Sequence, residues 1–178
     1  MSVKTIDKEF WLGHIFTLVA TVLGVYLAAN SGFEKAVEFD LMQRERDSYY
    51  IQIALLNELK GNADAIDSWL DEFDRDENRD DMHLRKEKYR LNQFFWDTIP
   101  ESSAVFEVPY PRIGQVSEFY DTAQYQLDIL LSGNPFEAPK AALKLRALTK
   151  QLRTDFLSRF EQQLSDLRRE IERGGVSI

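Results

Sequence analysis

Carboxylates gather most densely in Asp71-Glu-Phe-Asp-Arg-Asp-Glu-Asn-Arg-Asp-Asp81, where Asp74, Asp76, Asn78 and Asp80 stand at alternating positions, as the oxygen ligands of a calcium loop do. The pattern breaks twice. Arg79 stands where the sharp turn needs Gly, and Arg85 where a bidentate Glu closes the cage. A solvated interhelical loop is therefore expected, its charge answered by the neighbouring Arg85-Lys-Glu-Lys-Tyr-Arg90.

The two histidines, His14 and His83, fall in different parts of the chain, so they form no metal or bis-histidine haem pair, and no Glu-x-x-His marks a di-iron bundle. With no Cys there is no thiolate ligand, thiol nucleophile or disulfide. A nucleophile elbow, a phosphate-cradling Gly-rich loop and a dinucleotide fingerprint are all missing from the sequence. The aromatic residues Trp69, Phe94, Phe95 and Trp96 are expected in the core rather than in a ligand box. Neither a catalytic set nor a cofactor or metal site is expected, and a non-enzymatic role is favoured over a hydrolase or oxidoreductase.

The strongest organising signal is the run Phe10 to Ala29. It carries no formally charged side chain, and a helix of that length rises roughly 30 Å, the thickness of a hydrocarbon core. A single transmembrane helix is expected. A cleaved leader is the competing reading, because Leu27-Ala28-Ala29 supplies small residues after an apolar stretch. Lys4 and Lys8 lie close ahead of the run, whereas only Lys35 lies close behind it. The positive-inside bias thus places the short tail, residues 1–9, in the cytoplasm and the rest of the chain outside. Gly13, Thr17, Ala20, Gly24 and Ala28 recur at helical spacing on one narrow face, where another helix could approach closely. His14, the one titratable group in the run, sits a turn from Trp11 near the expected interface, where interfacial hydrogen bonding accounts for it.

After a break at Asn30-Ser31-Gly32, one long helix is expected from about Glu34 to Phe73, with Tyr49, Leu56, Leu59, Ala63, Ile66, Leu70 and Phe73 on a single stripe. It would project the domain away from the bilayer. A second helix fits Asp81 to Thr98, with Leu84, Leu91, Phe94, Phe95 and Trp96 as its apolar content. Pro100, Pro109 and Pro111 mark the following stretch, Ile99 to Pro111, as a loop. A third helix is expected from about Arg112 to Leu131, and a fourth after Ser132-Gly133-Asn134-Pro135, with Asn134 as cap and Glu137 reaching back. Its stripe of Leu145, Leu148, Leu152, Phe156, Phe160, Leu164, Leu167 and Ile171 continues unbroken to Arg173, before Gly174-Gly175. The expected fold is all-α: one N-terminal transmembrane helix, a four-helix-bundle-like soluble domain over residues 34–173, and a short tail, 174–178.

The 178 residues suffice for one anchor and one such domain, and 44% apolar with 29% charged residues is a globular composition. A net charge of −8 argues against a nucleic-acid backbone and against anionic headgroups as docking partners.

The segments Val22-Leu-Gly-Val-Tyr-Leu-Ala28, Arg44-Glu-Arg-Asp47, Leu55-Leu-Asn-Glu-Leu-Lys-Gly-Asn62 and Phe95-Trp-Asp97 resemble a group of uncharacterised bacterial proteins. Those have one N-terminal membrane helix, a Leu-x-x-Glu-Leu-x-x-Asn helix and a later Trp segment. The resemblance covers about the first third of the chain and implies a bacterial inner-membrane location, but no activity. The expected role is an accessory or scaffold subunit that meets other membrane subunits, or a copy of itself, through the transmembrane helix and the helical domain. The alternative is a sensory or regulatory bundle that binds a small ligand between its helices.

Overall fold

The structure, a computed structural model, describes residues 8–75, 83–101, 108–174 and 178. The calcium-like positions Asp76, Asn78 and Asp80, with Arg79, lie outside them, as do the N-terminal tail up to Asp7 and most of the Pro-marked loop. Every regular element among the described residues is helical, and none is a strand. The chain divides into two compact units, Met1–Gln43 and Arg44–Ile178.

The first helix, α1, spans Lys8–Arg75 and supplies all the regular structure of the first unit. The expected break at Asn30-Ser31-Gly32 is absent, because these residues are helical. A lone mid-helix Gly costs only about 1 kcal/mol against Ala, no Pro follows it, and Asn30 Nδ2 donates across one turn to Glu34 Oε1 at 3.0 Å. This helix is long and apolar enough to cross a membrane, with an apolar stretch of mean hydropathy 1.9, none of it buried. From Phe10 to Leu41 every side chain is exposed.

In the second unit the later part of α1 buries Tyr49, Leu55, Leu56, Leu59, Ala63, Ile66, Leu70 and Phe73, which includes every residue of the expected stripe. It packs with α3 (Tyr110–Leu130) and with a long C-terminal helix made of α4 (Ala138–Gln151), a π turn (Leu152–Leu157) and α5 (Ser158–Arg173). Among the described residues, the long helices that build this core are thus three. Between α1 and α3 lie a 3-10 turn (His83–Lys88), the five-residue α2 (Phe94–Thr98) and a second 3-10 turn (Ile99–Glu101). Over the described residues 83–98, the helix expected from Asp81 to Thr98 is therefore replaced by short pieces. Leu84, Phe94 and Phe95 are exposed, while Tyr89, Leu91 and Trp96 supply the apolar contact instead.

The turn from α3 to α4 uses the residues that mark it in the sequence. Gly133 takes φ 75°, which a Cβ would oppose, and Asn134 Oδ1 accepts from the N–H groups of Phe136 and Glu137 at 2.9 and 3.2 Å. Glu137 does not reach back; its carboxylate pairs forward with Lys140 at 2.8 Å, which holds it below the ordinary carboxylate range.

The π turn follows from the apolar spacing. Leu148, Leu152, Phe156, Phe160 and Leu164 are each four apart, and in an α-helix every such step rotates the stripe by roughly 40°. One wider turn takes up that drift and keeps the stripe on the core. Ser158 Oγ donates to the carbonyl of Arg153, five residues back, at 2.9 Å. On the solvent side Arg146 pairs with Asp71 and Asp74, and Arg153 with Asp64 and Asp67, two turns further along. Thr149 donates to Asp67 between them at 2.8 Å.

Candidate functional site

Three places carry chemistry. In the first unit Gly13, Thr17, Ala20, Gly24 and Ala28 share an arc of roughly 80° on α1. The polar groups beside them are satisfied within the helix: Thr17 Oγ1 donates to the Gly13 carbonyl at 2.9 Å, and Thr21 Oγ1 to the Thr17 carbonyl at 2.8 Å. His14 Nδ1 lies 2.9 Å from the Phe10 carbonyl, with the two rings 4.1 Å apart. A Cβ on Gly13 or Gly24 meets nothing within 4 Å.

The second place is a buried polar clamp built by α1. Glu58 and Asn62, one turn apart and 5% and 3% exposed, face the segment that begins α2. Glu58 accepts from the backbone N–H groups of Phe95 and Trp96 at 2.7 and 3.1 Å and from the Tyr120 hydroxyl at 2.8 Å. It thereby caps α2 from another helix, since Gln93, the residue at the cap position, makes no side-chain bond there. Asn62 pairs with both backbone groups of Asn92: its Nδ2 donates to the carbonyl at 2.7 Å and its Oδ1 accepts from the N–H at 2.8 Å. Tyr120, 2% exposed, is held neutral, because burial and the adjacent Glu58 carboxylate push its hydroxyl far above the ordinary tyrosine value. The Leu-x-x-Glu-Leu-x-x-Asn motif and the Phe95-Trp96 segment thus meet: Leu55 and Leu59 fill the core while Glu58 and Asn62 grip the backbone. The Trp96 ring packs 5.7 Å from Tyr120, and Trp69 lies edge-on to Tyr89, also at 5.7 Å.

The third place went unseen in the sequence. The start of α3, the π turn, α5 and the Glu45–Gln52 stretch of α1 enclose a groove of about 490 Å³. Its polar lining comes from Glu45, Ser48, Gln52, Arg112, Gln115, Arg159 and Gln163, and its apolar lining from Phe156, Phe160, Leu167, Pro109 and Pro111. Arg112 is only 9% exposed. Its guanidinium donates to Gln163 Oε1 and stacks on the Phe160 ring, 4.3 Å from the ring centre. Burial pulls it below the ordinary arginine value, and among the described residues no carboxylate forms an ion pair with it. Arg112 reads in the sequence only as a helix start; the Pro-Tyr-Pro-Arg run and the four-residue apolar spacing at Phe156 and Phe160 were the available signals.

No group of three or more His, Asp or Glu that could hold a metal is found among the described residues, and Asp74 is engaged with Arg146. Compared with protein families, with curated proteins and with solved structures, the chain gives no match.

Proposed function

We propose that this chain is a single-pass protein of a bacterial inner membrane, anchored by residues 10–29, whose helical-bundle domain lies on the periplasmic side. It serves there as an accessory or scaffold subunit of a membrane complex. The observation that carries the reading is that every residue of the apolar run from Phe10 to Ala29 is exposed. That much uncovered apolar surface on one helix is at rest in hydrocarbon and not in water. The small-residue arc then gives the anchor a side on which a second helix, of another subunit or of another copy of this chain, packs closely.

Purification in mild detergent is the test: a stoichiometric partner or a homo-oligomer is expected, and recovery only as a free monomer counts against the subunit role. Gly24→Leu inserts bulk into the arc without an internal clash, since a Cβ there meets open space, and it releases the partner while membrane insertion survives. Leu23→Ile, on another face, leaves association intact. Equal recovery from both variants would leave the helix as a plain anchor.

A second reading, a regulatory domain that binds a small ligand, is favoured by one specific observation. The groove holds a buried guanidinium that, among the described residues, forms no ion pair. A ligand-dependent rise in thermal stability supports it, by the linkage between binding and folding.

A further inference from the structure

We infer that the groove at the start of α3 binds a monoanionic carboxylate with a compact apolar or aromatic body, the carboxylate on Arg112 and the body against the half-buried Phe156 and Leu167. The inference rests on the second reading above, that the groove takes a small ligand.

The groove's volume, about 490 Å³, lies in the range that holds small molecules. Arg112 is buried, fixed by Gln163 on one nitrogen and by the Phe160 ring on its face. A guanidinium held this way is a preset planar fork, and it matches a carboxylate, which accepts two parallel N–H bonds. Burying a charge without an opposite partner is costly, and a bound anion relieves that cost. Arg159 adds a second positive charge to the lining, while Glu45 contributes a negative one. The balance suits one negative charge better than the two of a phosphate monoester. The apolar walls would leave a bare inorganic anion without contact over much of its surface, so an organic body completes the fit.

The full chain in zwitterionic lipid nanodiscs is titrated with benzoate, phenylacetate and hexanoate, each beside its neutral amide, and with phenyl phosphate; calorimetry and thermal unfolding are read. Saturable binding of at least one carboxylate is expected, tenfold or more tighter than its amide and tighter than phenyl phosphate. Arg112→Lys keeps the charge but loses the fork and weakens that binding at least tenfold, with the far-ultraviolet circular dichroism unchanged. The comparison of carboxylate with amide needs no variant, so it decides the matter even where Arg112 substitutions do not fold. Equal binding of acid and amide, or tighter binding of phenyl phosphate, overturns the carboxylate assignment and leaves a ligand groove standing. Silence from all seven compounds overturns both.

Discussion

Glu58 shows how a motif can be visible without its role being legible. The sequence displays Glu58 and Asn62 one turn apart beside the apolar stripe, where neither residue type by itself announces a buried partner. Its purpose depends on the backbone of residues 92–96, which sequence spacing does not bring near. Removing its acceptors takes the partner from the buried Tyr120 hydroxyl and from two part-buried N–H groups, so Glu58→Ala is expected to lower unfolding free energy by about 3 kcal/mol, whereas Glu58→Gln, which keeps one acceptor, costs about half as much. Urea unfolding of the full chain in detergent measures both.

Tyr120 gives a pH dependence of defined sign. Its hydroxyl ionises far more readily in the unfolded chain than in the folded one, so the folded state gains stability that is fully present below the unfolded value of about 10 and is lost as pH rises above it. Tyr120→Phe flattens that alkaline decline. Before unfolding, the variant and the parent give the same phenolate absorbance, because Tyr120 contributes none.

At the scale of elements, long helices were legible and short ones were not. The stripes on α1, α3 and the C-terminal helix repeat every three or four residues, and that period alone identifies them. The segment between α1 and α3 has apolar residues in a helical-looking order, yet Tyr89 and Trp96 are held by packing and by the clamp rather than by a continuous helix. Tertiary contacts there outweigh local preference. The expected break at Asn30-Ser31-Gly32 failed for the opposite reason: one Gly and two small polar residues are too weak to stop a helix propagated from both sides.

The π turn was readable in principle, since successive spacings of four are its signature. A turn closed by i→i+5 bonds holds one residue more than an α turn. Deleting Thr154, an exposed residue within it, is therefore expected to convert it to α-helix, with helical circular dichroism kept and stability lowered by about 1–2 kcal/mol. Deleting Thr122 from α3 instead rotates everything beyond it by roughly 100° and abolishes cooperative unfolding.

For the whole molecule, composition and the uncharged run Phe10 to Ala29 already separate an apolar helix from a globular remainder, whereas the structure's two units, Met1–Gln43 and Arg44–Ile178, meet within α1. The groove was not legible, because it is assembled from α1, α3 and the C-terminal helix, residues more than a hundred positions apart. Its buried cation, Arg112, is one of 22 Lys and Arg residues and stands out only by its burial.

The central claim is that α1 is embedded in a bilayer through residues 10–29. Membranes from cells expressing the full chain are stripped at alkaline pH, which removes peripheral proteins, and the pellet and supernatant are compared with those of a Val19→Arg, Leu23→Arg double variant. The parent protein is predicted to stay in the pellet and the double variant to be released. Release of the parent into the supernatant would contradict the account.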